Sequence, residues 1–160
     1  MVLTCPLSSH SRTMKIRERC DDDLDECVRI LRKVHEHLGY PVNWPADPAD
    51  WLSGGSTAAW VATIGGDPVG HVAAVANSGS ALVERLFVDP EYSGAGIGRA
   101  LLRHAASQAR LMHSQVMLDV VAGRDAANGL YRAEGWTEVS RTSIAWAPGR
   151  SLIRFRAPTD

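Results

Sequence analysis

Several residue types and patterns are scarce in this chain of 160 residues. No apolar run approaches the roughly 18–20 residues of a membrane-spanning helix. The three cysteines form no CxxC pair, and their odd number favours reduced thiols. The formal net charge is −1, so no overall field attracts nucleic acid or anionic lipid. We therefore expect a cytoplasmic protein with no nucleic-acid or membrane partner and no metal site.

The length of the chain predicts a single domain. Residues 1–13 lack the apolar core of a signal peptide and are expected to be a disordered extension. Residues 14–160 are then expected to form the folded domain. Because 45% of the chain is hydrophobic, this domain can bury a substantial core.

The hydrophobic pattern predicts elements in the order β-α-(α)-β-β-β-α-β-α-β-β. A hairpin turn is predicted at Gly65-Gly66-Asp67-Pro68, between strands Ala58–Ile64 and Val69–Ala76. The strand–helix–strand unit that follows should be a right-handed crossover between parallel neighbours. The predicted fold class is therefore α/β (α+β), with a mixed, mostly antiparallel sheet of six to seven strands and helices on both faces.

The clearest functional signal lies in the segment Ala81–Arg103. A strand-like run, ALVERLFV, ends at Asp89-Pro90, and a loop with glycines at 94, 96 and 98 leads into an apolar-periodic helix. Backbone N–H groups of such a loop can converge on an anion at the positive end of the helix dipole. The spacing G-x-G-x-G matches neither a Walker loop nor the dinucleotide fingerprint G-x-G-x-x-G. A phosphorylated cofactor of another kind is predicted.

This loop resembles the coenzyme A signature of the GCN5-related N-acetyltransferase (GNAT) superfamily, Q/R-x-x-G-x-G/A. Residues 93–98, SGAGIG, match it at both glycines and depart from it at the first position. Residues 127–136 resemble the second motif of the family, A-x-x-L-Y-x-x-x-G-F, with Trp136 in the last place. The resemblance extends over about residues 14–157. It implies an acyltransferase that moves an acetyl group from acetyl-CoA to the primary amine of a small molecule or peptide, by direct attack in a ternary complex. The alternative is a non-catalytic acyl-CoA-binding or sensing domain of the same fold.

The resemblance also implies which residues hold coenzyme A. Amides of the glycine loop and of the first helical turn would face the pyrophosphate, and the backbone of the preceding strand would pair with the pantetheine arm and polarise the acetyl carbonyl. The implied cofactor-binding residues are Leu86, Phe87, Val88, Ser93, Gly94, Ala95, Gly96, Ile97, Gly98, Arg99, Arg124, Asn128 and Tyr131. Arg124 stands where the family often has an asparagine, and Asn128 is the nearby asparagine.

Four side chains are candidate catalytic groups. Tyr131 matches the tyrosine that in this family donates a proton to the sulfur of coenzyme A, and a phenol with a reference pKa of about 10 is protonated at neutral pH. Asp119 and Glu84 each interrupt an apolar strand, so each is either a base for the amine, acting through water, or a salt-bridge partner of an arginine. Strand alternation predicts that Glu84 shares a face with Leu86 and Val88. His71, on a hairpin strand, is a third candidate base.

The acceptor site is predicted around a proline-rich loop. In this family the first helix, the loop after it and a late hairpin select the acceptor. Tyr40, Trp44 and Trp51 lie in or beside that loop and are the predicted acceptor-binding residues, unless they only pack the loop. The identity of the amine and the formation of a homodimer stay open.

Overall fold

The computed structural model describes residues 13–56, 58–113, 115–123 and 125–159, and the predicted N-terminal extension lies almost wholly outside them. The strands in these residues are β1 (Met14–Glu18), β2 (Ala58–Ile64), β3 (Asp67–Asn77), β4 (Ser80–Val88), β5 (Gln115–Val121), β6 (Thr137–Ser143) and β7 (Ser151–Arg156). The helices are α1 (Leu24–Leu38), α2 (Pro48–Ser53), α3 (Ile97–Arg110) and α4 (Asp125–Ala133).

The strands form one mixed sheet in the order β1-β2-β3-β4-β5-β7-β6. Within the described sheet only β4 and β5 are parallel, and every other pair is antiparallel. The core divides into two clusters, one beneath α3 and α4 and one beneath α1 and α2. The predicted fold class, the hairpin and the helices on both faces are confirmed.

The parallel pairing of β4 and β5 stops partway along both strands. It runs from Ser80 opposite Gln115 to Val83 opposite Leu118. Beyond this point β4 stays paired with β3, and β5 stays paired with β7. The sheet therefore forks between β4 and β5, because each strand follows its outer neighbour.

A β-bulge at Arg85 lies just inside this fork. The register between β3 and β4 shifts between His71 and Ala73, and Arg85 has a φ of +51°. One extra residue reverses the alternation of side chains along the strand. Leu86 and Val88 therefore pack on the same core as Val83, beneath α3, while Phe87 packs beneath α1. The predicted shared face of Glu84, Leu86 and Val88 is wrong, since Glu84 lies before the bulge and points to the opposite face.

Gly70 on β3 sets how closely α3 approaches the sheet. A Cβ atom there would lie 2.9 Å from Leu101 Cδ1 and 3.2 Å from Ile97 Cγ2. Real Cβ atoms essentially never show a contact of 2.9 Å, so with a side chain at this position Leu101 or α3 itself would have to shift. The glycine thus holds the N-terminal turn of α3 against the forked strands.

The cysteines differ in part from the expectation of reduced thiols. Cys27 is free and fully buried, and burial raises the pKa of its thiol to about 12. Cys20 is disulfide-bonded, so the expectation of reduced thiols is wrong for this residue. An odd count also fits one pair and one free thiol.

Among the described residues, no helix is long and apolar enough to cross a bilayer, and no cluster of three or more His, Cys, Asp or Glu could hold a metal ion.

Candidate active site

A cleft of about 740 Å³ occupies the fork between β4 and β5. Its volume is typical of a site for a small molecule or cofactor. Its walls come from both forked strands, the start of α3, the middle of α4, the end of α1 with the loop after it, and the connection between β6 and β7. The predicted site residues that line it are Tyr40, Trp51, Glu84, Leu86, Phe87, Val88, Ser93, Gly98, Asp119 and Tyr131.

The glycine loop lies at one end of this cleft. Gly94 and Gly96 both have a φ of +81°, a left-handed conformation that strains other residues, and Gly96 is the N-cap of α3. The first turn of α3 contains no acidic side chain, and no side chain caps it. Within the described part of the chain, no hydrogen bond takes up the amides of residues 94–98. These amides and the positive helix end fit the diphosphate of coenzyme A.

The other predicted cofactor-binding residues differ in how well the structure exposes them to a ligand. Ile97 is buried in the core, so only its backbone is available to a ligand. The Arg99 guanidinium lies 2.8 Å from the Glu134 carboxylate, which ties it to the end of α4. The Oδ1 atom of Asn128 is buried without a hydrogen-bond partner among the described residues, as a ligand-binding acceptor would be. Arg124 lies outside the described residues.

Tyr131 lies on the wall of the cleft formed by α4. Its side chain is 9% exposed, and its ring centroid is 5.7 Å from that of Phe155 on β7. Tyr131 lines the same cleft as Val83 and Leu118, the last paired residues of β4 and β5.

Glu84 and Asp119 are the first residues of their strands past the fork. Val83 and Leu118, directly before them, face the same core, so both carboxylates point to the opposite face, toward α1 and α2. Asp119 accepts two hydrogen bonds from Arg154, both of 2.8 Å, and its side chain is 18% exposed. Glu84 forms an ion pair with Arg85. The structure therefore brings both candidates into the cleft, and each has an arginine partner.

Two contacts with Trp51 hold the Arg85 side chain against the wall of the cleft that α2 forms. Its Nε donates to the Trp51 carbonyl at 2.9 Å, and its guanidinium lies 4.5 Å from the centre of the Trp51 ring. Burial lowers the pKa of this guanidinium. Tyr40 packs edge-on against the same ring at 6.4 Å.

His71, the third candidate base, is buried beneath the bulge and is not among the residues that line the cleft. Arginine can only donate, so the contact of 3.0 Å from Arg19 Nη1 makes His71 Nε2 an acceptor. The other ring nitrogen, Nδ1, then carries the proton and donates to the Arg85 carbonyl at 2.9 Å. The side chain is fully buried and stacks on Phe87 at 5.0 Å, and burial lowers its pKa to about 4. His71 therefore holds the bulged backbone, a role that its sequence position does not indicate.

The acceptor end of the cleft differs in part from the prediction. Trp44 does not line it, because its ring packs 5.3 Å from His35 and beneath the Arg32 guanidinium at 4.9 Å. Leu38 and Trp146 do line it, and neither was a predicted site residue. Their only sequence signal was their place in the acceptor-selecting segments of the family.

Comparisons with known proteins agree with this geometry. The Acetyltransferase (GNAT) domain family matches residues 55–138, more than half of the chain. N-acetylaspartate synthetase from Xenopus tropicalis is 39% identical over 93 residues, which are 56% of this chain and 34% of that protein. Human N-acetylaspartate synthetase is 35% identical over 96 residues, which are 58% of this chain and 32% of that protein. The chain therefore spans about a third of the length of these relatives.

Solved structures share the fold over nearly the whole chain. The ribosomal-protein-S18-alanine N-acetyltransferase from Escherichia coli has a TM-score of 0.75 at 21% identity, covering 91% of this chain and 94% of that chain. The protein yncA from Salmonella typhimurium, solved with its cofactor acetyl-CoA, has a TM-score of 0.75 at 18% identity, covering 92% and 94%. The predicted family, a family of acetyltransferases, is confirmed. The forked sheet, the glycine loop and the family match lead to one conclusion: the chain belongs to the GNAT acetyltransferase family.

Proposed function

We propose that this protein transfers an acetyl group from acetyl-CoA to the primary amine of a small molecule or peptide, by direct attack in a ternary complex. One observation carries the proposal. The cleft at the fork between β4 and β5 is lined by Ser93 and Gly98, which flank the open amides of the glycine loop, and by Tyr131, Glu84 and Asp119. Acetyl-CoA supplies the activated acetyl group as a thioester.

Binding is assigned to the backbone at the end of β4 and the start of α3. The amides of residues 94–98 hold the diphosphate, because they are open and lie at the positive end of a helix of 14 residues. The strand edge that β4 exposes past Val83 pairs with the pantetheine arm, because β5 has moved away from it. Gly98 lines the cleft, and a Cβ atom there would meet Val88 Cγ2 at 3.7 Å and Leu130 Cδ2 at 3.8 Å.

Polarisation of the acetyl carbonyl is assigned to a backbone N–H at Leu86 or Phe87, directly after the bulge. A donor fixed before the reaction stabilises the developing oxyanion by about 3 kcal/mol. The bulge is held from both sides, by His71 at its carbonyl and by Trp51 under the Arg85 side chain. This rigidity supports the assignment, because such a donor acts only where it does not have to reorganise.

Proton transfer is assigned to the side chains at the centre of the cleft. Tyr131 protonates the departing thiolate. Glu84 or Asp119 takes the proton of the acceptor ammonium through water. The carboxylate that acts as the base does so beside its arginine partner. Each carboxylate retains lone pairs beside its arginine, so both remain candidates.

A thiol-release assay tests the proposal. Purified protein with acetyl-CoA is assayed against small amines, amino acids including L-aspartate, and peptides with free N-termini. We expect release of free coenzyme A that depends on an amine. Acetyl-CoA at one hundred times its Kd should also stabilise the fold by about 2.7 kcal/mol. Stabilisation by acetyl-CoA without turnover of any amine would favour the alternative, a non-catalytic acyl-CoA-binding or sensing domain. The ion pairs formed by both carboxylates are the observation that supports this alternative. Neither binding nor turnover would contradict both.

Separate substitutions test the residue roles. Tyr131→Phe should lower kcat about 100-fold with little change in the Kd of acetyl-CoA, the loss usual for a missing general acid. Tyr92→Phe is the matched control, because Tyr92 is exposed and does not line the cleft. Glu84→Gln and Asp119→Asn separate the two bases, because only loss of the true base removes the acid limb of the pH–rate profile. Equal kcat for Tyr131→Phe and the wild type would contradict the role of Tyr131.

The proposal extends to the domain that carries the activity, to the partners of the protein and to its location in the cell. Residues 14–160 carry the activity, and the near-neutral net charge supports a protein with no nucleic-acid or membrane partner. A cytoplasmic location supplies acetyl-CoA, although disulfides such as that of Cys20 are rare there. Fractionation of cells followed by immunodetection of the protein tests this location, and gel filtration tests for a homodimer.

A further inference from the structure

The acceptor end of the cleft has an apolar rim. Large apolar side chains that are strongly exposed in the described residues are Leu38, Tyr92, Leu111, Met112, Val139 and Trp146. Two of them, Leu38 at 65% exposure and Trp146 at 58%, line the cleft. They belong to separate parts of the chain, the end of α1 and the connection between β6 and β7. Exposed apolar side chains at the rim of a pocket indicate a ligand that covers them.

The wall formed by α1, the following loop and α2 is mostly apolar. Val34, Tyr40, Val42 and Trp51 line it, and Asn43 is its polar residue. The charged residues of the lining, Glu84, Arg85 and Asp119, lie where the fork begins. Each carboxylate keeps lone pairs beside its arginine and can accept from an ammonium group, while the wall offers mainly apolar surface to the body of the molecule that carries it.

The basic residue of the described lining is already engaged through two of its nitrogens. Arg85 is the only Lys, Arg or His among the described residues that line the cleft, and its Nη1 and Nε bind Glu84 and the Trp51 carbonyl. Arg154, next to the cleft, is taken up by both oxygens of Asp119. An acceptor with its own carboxylate would have to bury that charge against apolar walls or break an existing ion pair, and both are costly.

We propose that the acceptor is a primary alkylamine with an apolar, preferably aromatic, body and no carboxylate. This inference rests on the proposed acetyl transfer and specifies its substrate class. The ammonium group binds between Glu84 and Asp119, and the aromatic body lies between Trp146 and the wall of α1 and α2. The relatives that are N-acetylaspartate synthetases bear the name of a dicarboxylate product, so this chain would differ from them in its acceptor.

The experiment compares three amines at saturating acetyl-CoA. 2-Phenylethylamine has the predicted body, ethanolamine has an equally short chain without it, and L-aspartate has two carboxylates. We expect kcat/KM for 2-phenylethylamine to exceed that for each of the others by at least about tenfold, as apolar groups in a hydrophobic pocket commonly discriminate. Equal or faster turnover of L-aspartate or ethanolamine would overturn the inference but leave the acetyl transfer standing. No turnover of any amine would overturn both.

Substitutions at the rim provide the second readout. Trp146→Ser should raise KM for 2-phenylethylamine about tenfold and affect ethanolamine much less, so that the ratio between the amines collapses. Leu38→Ser should act in the same direction. Met112→Ser is the matched control, because Met112 is 80% exposed and lies outside the cleft. An unchanged ratio in both rim variants would overturn the inference, and their melting temperatures show that they are folded.

Discussion

Protonation of His71 should destabilise the folded protein at mildly acidic pH. The imidazole is fully buried and neutral, and its unprotonated Nε2 accepts from Arg19 while Nδ1–H donates to the Arg85 carbonyl. Burial is the main cause of the lowered pKa of His71. The hydrogen bond to the Arg85 carbonyl and the charge of Asp23 raise this pKa, while the positive charges of Arg19 and Arg85 lower it. A proton on Nε2 would face the Arg19 guanidinium and break the network that holds the bulge.

The magnitude and the sign follow from the two pKa values. The folded protein has a His71 pKa of about 4, against 6.5 for the free side chain, and this difference corresponds to about 3 kcal/mol. The unfolded chain binds the proton at the higher pH, so the stabilisation is complete above pH 6.5 and is lost as the pH falls toward 4. A loss of this size is a large part of the stability of a small domain.

Urea unfolding at a series of pH values from 7.5 to 4.5 measures this effect. His71→Asn is the matched variant, because its amide can still donate to the Arg85 carbonyl but does not titrate. We expect the free energy of unfolding of the wild type to fall more steeply below pH 6.5 than that of the variant. Other titrating groups act on both proteins and cancel in the difference. Parallel pH dependences would refute the reasoning, because His71 would then titrate alike in both states.

Three further predictions concern the scaffold and the site. Gly70→Ala should lower the free energy of unfolding by about 1–3 kcal/mol, because its Cβ would meet Leu101 at 2.9 Å. Gly129→Ala is the control in the same urea titration and should be neutral or stabilising, because a Cβ at this position of α4 has open space. Gly96→Ala should raise the Kd of coenzyme A in calorimetry and cost about 1 kcal/mol, because its φ is +81°; unchanged binding would remove this loop from the site. Arg154→Gln should lower kcat/KM for the amine, because it removes the bidentate hydrogen bonds that orient the Asp119 carboxylate, and an unchanged kcat/KM would speak against Asp119 as the base.

Much of the scaffold could be predicted from local patterns. Alternation predicted β2 at its observed bounds, and the glycine pair at 65 and 66 predicted the hairpin to β3. The glycine loop and the crossover from β4 through α3 to β5 were likewise readable. These features depend on near neighbours in the chain, on turn conformations and on which face of a segment is apolar.

Only the tertiary structure decided how the catalytic groups are held. The bulge at Arg85 depends on pairing with β3, and it turned Glu84 to the face opposite Leu86. Asp119 was readable as an unusual carboxylate, but its partner Arg154 is 35 residues away on a strand that reaches β5 only through the sheet order. Which residue types can do acetyl-transfer chemistry was determined by the sequence alone. Their partners, faces and protonation were decided by long-range contacts, because burial and charge at a site come from every strand and helix that packs around it.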